Sequence, residues 1–475
     1  MAFRDLREYL AAASDLGELK VIEGADWNLE IGCITELGAE KFGPILLFDS
    51  IKGYPRGFRV VSNFLASPRR FALSMGLPPE MPRLEMLRAW KDKTRALKPV
   101  APREVSSGPI MENILTGNDA DPEKFPAPKW HQNDGGRYIG TADMVITKDP
   151  DSDWVNVGTY RACIQSGRRL SLWILEDRDG RHIAAKYWAR GKACPALVVL
   201  GCEPATWMAS PVKVEPGVSE LDYAGALRGE PVEVIKSELT GLPIPAHAEI
   251  VVEGEIPPLD QDSAAEGPFG EWPGYYAHTG DECVVRIKRI MYRNDPILLG
   301  NPPLLPITQR YGVPIFVVRV WEHLENTGIP GIRGVWSHCN NLLVAVSLRQ
   351  QFAGHATQAL IAAAGLQYGP GMDNYFVAVD EDIDPSDLNQ VLWAMCTRVD
   401  PLHQVQILNS WTSGLDPRVS PERRRRGELT MGRMLIDACK PFTWRDQYPR
   451  SNRFDDAFRE ATWKKWQEFL SGNDR

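Results

Sequence analysis

Phe3, Leu6 and Leu10 fall on one face of a helix-length segment, and ILLF (45–48) and VVSNFL (60–65) follow as short apolar runs of strand character. LEMLRAW from Leu84 returns to helical spacing, so residues 1–115 read as a small α/β domain. The stretch from Pro99 to Pro128 holds PVAPRE, GNDADPEKF and PAP, a composition that stops helices and favours an extended connection. From about Tyr138 to Gly300 the period changes to that of strands, in WVNVGTYRACI, RRLSLWIL, ALVVLG, VEVIKSEL, AEIVVEGEI and CVVRIKRIMYR. In AEIVVEGEI, Ala248, Ile250, Val252, Gly254 and Ile256 alternate onto one face, as a sheet with one buried side requires. Residues 116–305 therefore read as a β-rich, barrel-like middle domain, interrupted by one helical insert, HIAAKYWARG, opening at His182. Beyond Pro306, LLVAVSL, QQFAGHATQALIAAAG, YFVAVDEDID and DLNQVLWAMCTRV alternate strand with helix, which predicts βαβ units and a third, α/β domain over 306–475. The terminal FDDAFREATWKKWQEFL puts Phe454, Phe458 and Ala461 on one helical face, with Trp463, Trp466 and Leu470 extending the apolar surface, to pack on the chain's own core or on a second subunit.

A length of 475 residues exceeds what one core usually supports, in keeping with several domains. With 43% hydrophobic and 24% charged residues the composition is that of a folded globular protein, and a net charge of −8 argues against nucleic acid as a partner. The eight cysteines are scattered without a CxxC pair or zinc spacing and read as reduced thiols. The charged, helix-patterned start is unlike an export signal, and no apolar run is long enough to span a bilayer, so a cytoplasmic location is expected.

The most unusual string is EGPFGE, Glu266 to Glu271. Carboxylates five apart fall on opposite faces of a regular strand, but Gly267, Pro268 and Gly270 permit a bulge or turn that aims both into one pocket. The bland alternative is a solvated turn; Phe269, Trp272 and Tyr275 favour partial burial, where a carboxyl becomes a usable acid. WVNVGTYRACI sets Asn156 and Arg161 inside an apolar strand, where an arginine needs a buried carboxylate, either as a structural ion pair or as part of a site. His182 alone reads as a cap or surface residue, and Glu220 alone as a first-turn acid on a helix dipole. Taken together, Asn, His and Glu make an oxygen and nitrogen set suited to Mg²⁺ or Mn²⁺ rather than structural zinc. The chain lacks a P-loop, a G-x-S-x-G elbow, an HExxH and a Rossmann fingerprint. The run Arg423 to Arg426 reads as a solvated loop, or more sharply as an anchor for a phosphate-bearing substrate.

Over nearly its whole length the chain resembles the UbiD family of reversible decarboxylases. NVGTYR, His182, GVSELDYAGALRG, EGPFGE and YRNDPIL occur in the family's order, and FPAPKWHQNDGGRYI, LWAMCTRVDP and IDACKP look like family segments. The resemblance implies an N-terminal α/β domain, a middle split β-barrel that binds prenylated FMN, and a C-terminal α/β domain that oligomerises, as a homodimer or homohexamer. It implies that Arg161, Glu266 and Glu271 stand at the reacting centre, and that Asn156, His182 and Glu220 bind a divalent metal, usually manganese, against the cofactor phosphate, with potassium nearby. Gly158, Thr159 and Ser210 would line the cofactor, which a flavin prenyltransferase would supply.

Loss of CO₂ from an sp² carbon leaves electrons that no side chain delocalises, so a cofactor must accept them. The expected substrate is an aromatic or heteroaromatic acid, with CO₂ as co-product, because Trp272 beside Glu271 suggests a flat apolar slot. The competing readings are a decarboxylase of acrylic-type acids, a flavin oxidoreductase on a similar barrel, for which paired glutamates are unnecessary, and a non-catalytic flavin-binding paralogue.

Overall fold

The computed structural model describes residues 3–215, 217–277, 279–305, 311–366 and 371–470. It is a mixed α/β assembly built around four sheets. The first has four strands, Leu19–Glu23, Ile45–Asp49, Arg59–Ser62 and, from far along the chain, Ile297–Leu299, which pairs in parallel with 59–61. Helix Leu6–Asp15, capped by Asp5, lays Leu6, Tyr9, Leu10 and Ala13 into the core beneath this sheet.

The second sheet has ten strands. Its path runs from Tyr138–Gly140 through Ala162–Gln165, Arg169–Leu172, Gly280–Tyr292, Ile250–Ile256, Cys194–Leu200 and Met144–Lys148 to Val155–Gly158, and among the described residues no pairing joins its two ends. Ser263–Glu266 and Asn113–Thr116 both pair with the long strand Gly280–Tyr292. Ile250–Ile256 is buried on both faces rather than on one. The polar face is closed because Glu253 takes Arg289, Ser237 and Thr240 as donors, which removes the need for water there. VEVIKSEL lies apart from this sheet, as Glu233–Lys236 in a three-stranded one with Pro243–Pro245 and Arg103–Glu104.

The C-terminal region is a five-stranded sheet, Ile332–His338, Leu343–Leu348, Tyr375–Asp380, Thr430–Asp437 and the edge strand Val405–Trp411, with helix His355–Gly365 against it. The terminal helix Asp456–Leu470 forms as expected. Packing on the chain's own core is overturned, because Phe458, Trp463, Trp466 and Phe469 are all half or more exposed. All eight cysteines are free thiols.

One joint between the first two sheets matters for comparison with the site. Fully buried Glu249, just ahead of Ile250–Ile256, accepts two bonds of 2.8 Å from Arg7, one of 3.1 Å from the Ile297 amide and one of 3.4 Å from Arg293. Arg293 also donates to Asp5 at 2.9 Å.

Candidate active site

The segment WVNVGTYRACI is two strands rather than one. Val155–Gly158 and Ala162–Gln165 lie in different parts of the ten-stranded sheet, and Arg161 sits at the joint between them. From there its side chain, 5% exposed, reaches both acids of EGPFGE. Glu266 ends the strand Ser263–Glu266, and Gly267 then turns the chain with φ 87°, a conformation glycine adopts without strain. A tight turn follows, held by Ala277 N to Phe269 O and Glu271 N to Tyr275 O, both 2.9 Å, and it returns Glu271 to the same arginine.

Arg161 grips Glu266 with Nε on Oε1 at 2.8 Å and Nη2 on Oε2 at 2.5 Å, while Nη1 donates to Glu271. Tyr138, fully buried, donates its hydroxyl to Glu266 at 2.8 Å. The Trp173 ring lies 4.1 Å from the guanidinium carbon and Phe269 closes a second side at 5.3 Å. Burial opposes the charge on Arg161, but its bond to Glu266 and the charges of Glu271 and Glu266 outweigh it and hold the guanidinium above its ordinary range. Glu282 adds a further acid nearby, its carboxyl pushed up to about 7 by burial and then by the charge on Glu266. One buried cation thus serves two carboxylates, an arrangement with room for a transferable proton.

The second set of residues lies on the strand Val155–Gly158 and on the two helices that pack against it. Asn156 is buried in Val155–Gly158, and Tyr160 beside it has its hydroxyl pushed up to about 12 by burial, against the pull of the Gly180 amide and Asn156. Glu220 is the first residue of helix Glu220–Arg228, behind a capping box of Ser219 and Asp222, and its carboxylate accepts the Val157 amide at 2.7 Å. Burial pushes that carboxyl up to about 7, with the Val157 amide pulling the other way. His182 does not open its helix; it is the fourth residue of Asp179–Trp188, which packs on the same strand, and it is exposed. Thr159 and Ser210 meet hydroxyl to hydroxyl at 2.9 Å. Gly158 lies where a Cβ would come within 2.4 Å of the Tyr160 ring, so only glycine fits there. The arginine run lies on a short helix, Pro421–Arg425, and its C-terminal cap Arg426; half-buried Arg424 donates to the Asp416 carbonyl and exposed Arg426 bonds Glu422.

Tyr138, Trp173, Glu282 and a His131–Asp134 pair escaped the sequence reading. Tyr138, His131 and Asp134 all lie in FPAPKWHQNDGGRYI, a dense run of polar and aromatic residues in a stretch too short for a core element, and that density was the available signal.

Three profiles of one family match in order: the 3-octaprenyl-4-hydroxybenzoate carboxy-lyase N-terminal domain over 10–90, its Rift-related domain over 103–304 and its C-terminal domain over 315–438. The chain belongs to the UbiD family, and it is a carboxy-lyase. It is 29% identical to the pyrrole-2-carboxylic acid decarboxylase of Pseudomonas aeruginosa, over 99% of this chain and 98% of that one. A phenolic acid decarboxylase of Escherichia coli O157:H7 is 31% identical over 93% of each chain. Among solved structures, the UbiD-class enzyme HmfF from Pelotomaculum thermopropionicum in complex with FMN superposes with a TM-score of 0.84 at 28% identity, covering 96% of this chain and 98% of HmfF. An evolved dimeric form of HmfF in complex with prFMN gives 0.80 at 28% identity, covering 96% of this chain and all of that one.

Proposed function

We propose that this enzyme is a non-oxidative, reversible decarboxylase of an aromatic or heteroaromatic acid working with prenylated FMN. The observation that carries the reading is the buried Arg161 shared by Glu266 and Glu271. A flavin oxidoreductase has no use for such a pair. The pyrrole and phenolic acid decarboxylases among the relatives, and FMN and prFMN in HmfF, point the same way.

The ten-stranded sheet is read as the split barrel that holds the flavin, with Gly158, Thr159 and Ser210 along its wall. Asn156, His182 and Glu220 are the residues that would bind Mn²⁺, or Mg²⁺, against the cofactor phosphate, with K⁺ nearby. Their chemistry fits: a carboxyl pushed up to about 7 by burial is relieved by a cation, and an amide oxygen and an imidazole complete a set suited to such an ion. Among the described residues no group of three His, Cys, Asp or Glu side chains could hold a metal, and an ion bound here would draw on Asn156 and on non-protein oxygens as well.

The modified flavin would supply the electron sink for the pair left by CO₂. The chain's own residues do the rest. Arg161, pinned by Glu266, Trp173 and Phe269, orients Glu266 through two bonds and holds Glu271 in place. Tyr138 spends its proton on Glu266, which orients that carboxylate and leaves Glu271 as the group that delivers a proton to the carbon from which CO₂ departs. Run backwards, Glu271 takes the proton and the same site carboxylates.

The enzyme is further read as cytoplasmic, dependent on a flavin prenyltransferase, and as a homodimer or homohexamer whose exposed terminal helix lies against a second copy. No helix among the described residues is long and apolar enough to cross a membrane. The deciding experiment is to load apoprotein with prenylated FMN and Mn²⁺, offer a panel of aromatic, heteroaromatic and acrylic acids, and measure CO₂ and product. Aromatic or heteroaromatic acids should turn over; full activity with ordinary FMN, or turnover confined to acrylic acids, would overturn the reading.

A further inference from the structure

The turn that carries Glu271 is clamped from outside by a loop the chemistry does not use. Gly135 N donates to Pro268 O at 2.7 Å, and a Cβ on Gly135 would come within 2.1 Å of the Gly267 carbonyl, so the two backbones abut. Asp134, whose side chain is fully buried, accepts the Gly270 amide on Oδ1 at 3.1 Å and the His131 amide on Oδ2 at 2.9 Å. The Asn133 amide donates to the Tyr276 hydroxyl at 3.2 Å.

His131 closes this arrangement. Its Nε2 lies 2.9 Å from the Pro303 carbonyl and its Nδ1 lies 3.2 Å from Asp134 Oδ2. A backbone carbonyl only accepts, and a carboxylate already taking two amide hydrogens only accepts. Donation from both ring nitrogens satisfies both acceptors, and that is the hydrogen count of an imidazolium. The groups facing it agree: Asp134 on its own loop, Glu36 on helix Glu30–Ala39, the Pro303 carbonyl, and the rings of Phe269 and Tyr276 at 6.1 and 6.5 Å. Burial works against the charge, but Asp134, the Pro303 carbonyl and Glu36 prevail and hold the ring above its ordinary 6.5.

We propose that His131 is a positioning residue, a cationic latch that through Asp134 fixes the Gly270 turn and so aims Glu271 at the reacting carbon. Loss of either ring proton removes one of its two bonds, freeing Asp134 or Pro303 and loosening the turn. The inference rests on the reading of Glu271 as proton donor for its catalytic consequence, and on geometry alone for the latch.

Hydrogen–deuterium exchange of the full-length apoprotein tests the latch without any chemistry. In H131Q and D134N the peptide spanning 266–277 should exchange about tenfold faster, while peptides over Ile250–Ile256 stay unchanged. Raising the pH of wild type should speed that peptide beyond the general base-catalysed rise, and H131Q should lack the excess. In loaded enzyme, H131Q should lose about 10- to 100-fold in kcat with KM little changed, and H131Q/E271Q should be no slower than E271Q alone. Unchanged exchange at 266–277 in both variants, or losses that multiply in full, would overturn the proposal. If both variants fail to fold, the wild-type pH dependence of exchange decides alone. Normal turnover by E271Q would remove the donor role, and the exchange arm would still judge the latch.

Discussion

Two buried arginine–carboxylate clusters in this molecule look alike and are balanced differently. At the joint of the first two sheets, Arg7 and Arg293 bond Glu249 and Asp5 with Arg59 close by, so the cations at least match the anions they face, and Glu249 accepts bonds on both oxygens. At the candidate site one arginine faces Glu266 and Glu271, with Glu282 close by. Carboxylates matched by arginines have no reason to take up a proton near pH 7, since that leaves a buried cation uncompensated. The excess of acid at Arg161 makes protonation of one carboxyl the low-energy way to balance the site, which is what a general acid requires.

The sharpest way to break the comparison is Glu271→Gln. Turnover should fall by about 10²- to 10⁴-fold, with fold, flavin and metal retained, as judged by single-turnover CO₂ release and flavin absorbance. Near-normal turnover would move the donor to Glu266, Glu282 or water. Glu249→Gln should do the reverse: about 2–4 kcal/mol of stability lost in urea, because Arg7 and Arg293 lose their shared anion, with kcat per folded enzyme unchanged. A marked loss of kcat there would erase the distinction.

His182→Ala and Glu220→Ala should each weaken Mn²⁺ binding by at least about 10- to 100-fold and lower flavin content in parallel, measured by metal analysis and absorbance after desalting. Metal loss without flavin loss would separate two events that the proposed site couples.

The smallest effect comes from a carboxyl with no arginine at all. Asp143 is fully buried, among the described residues neither of its oxygens takes a hydrogen bond from another residue, and burial pushes it up to about 8 against the pull of its own amide. A folded-state pKa above the unfolded 3.8 means that its contribution to stability is whole below pH 4 and is lost as pH rises towards 8. Asp143→Asn should therefore stabilise apoprotein at pH 8 and hardly at all at pH 4, with the gain growing as pH rises between them, read from paired urea curves.

Much of this was legible in the residues themselves. Helical spacing placed helix Leu388–Arg398, which buries Val391 and Ala394, and short apolar runs placed strands Ile45–Asp49 and Leu343–Leu348, which are buried along most of their length. The glycines and proline of EGPFGE announced a turn that could bring two glutamates together, and Arg161 in an apolar context announced a buried carboxylate. What stayed hidden depends on pairing across long separations. Nothing local says that WVNVGTYRACI breaks at Arg161, that Tyr138 meets Glu266 across 128 positions, or that Glu253 lets Ile250–Ile256 bury both faces. The terminal helix was readable as a helix, but an amphipathic stripe does not state which surface covers it.

The strand Ile297–Leu299 has a consequence for how the chain reaches this state on the ribosome. Its partner, 59–61, is made early, with Ile297 following Arg59 by 238 positions. Until that late segment emerges, Val60 and Val61 present an open edge, so the N-terminal sheet waits, incomplete, through synthesis of the whole middle domain. Nascent chains shorter than about 300 residues should accordingly be the ones that occupy chaperones, and release from them should coincide with arrival of this three-residue strand rather than with completion of any sequence-contiguous unit.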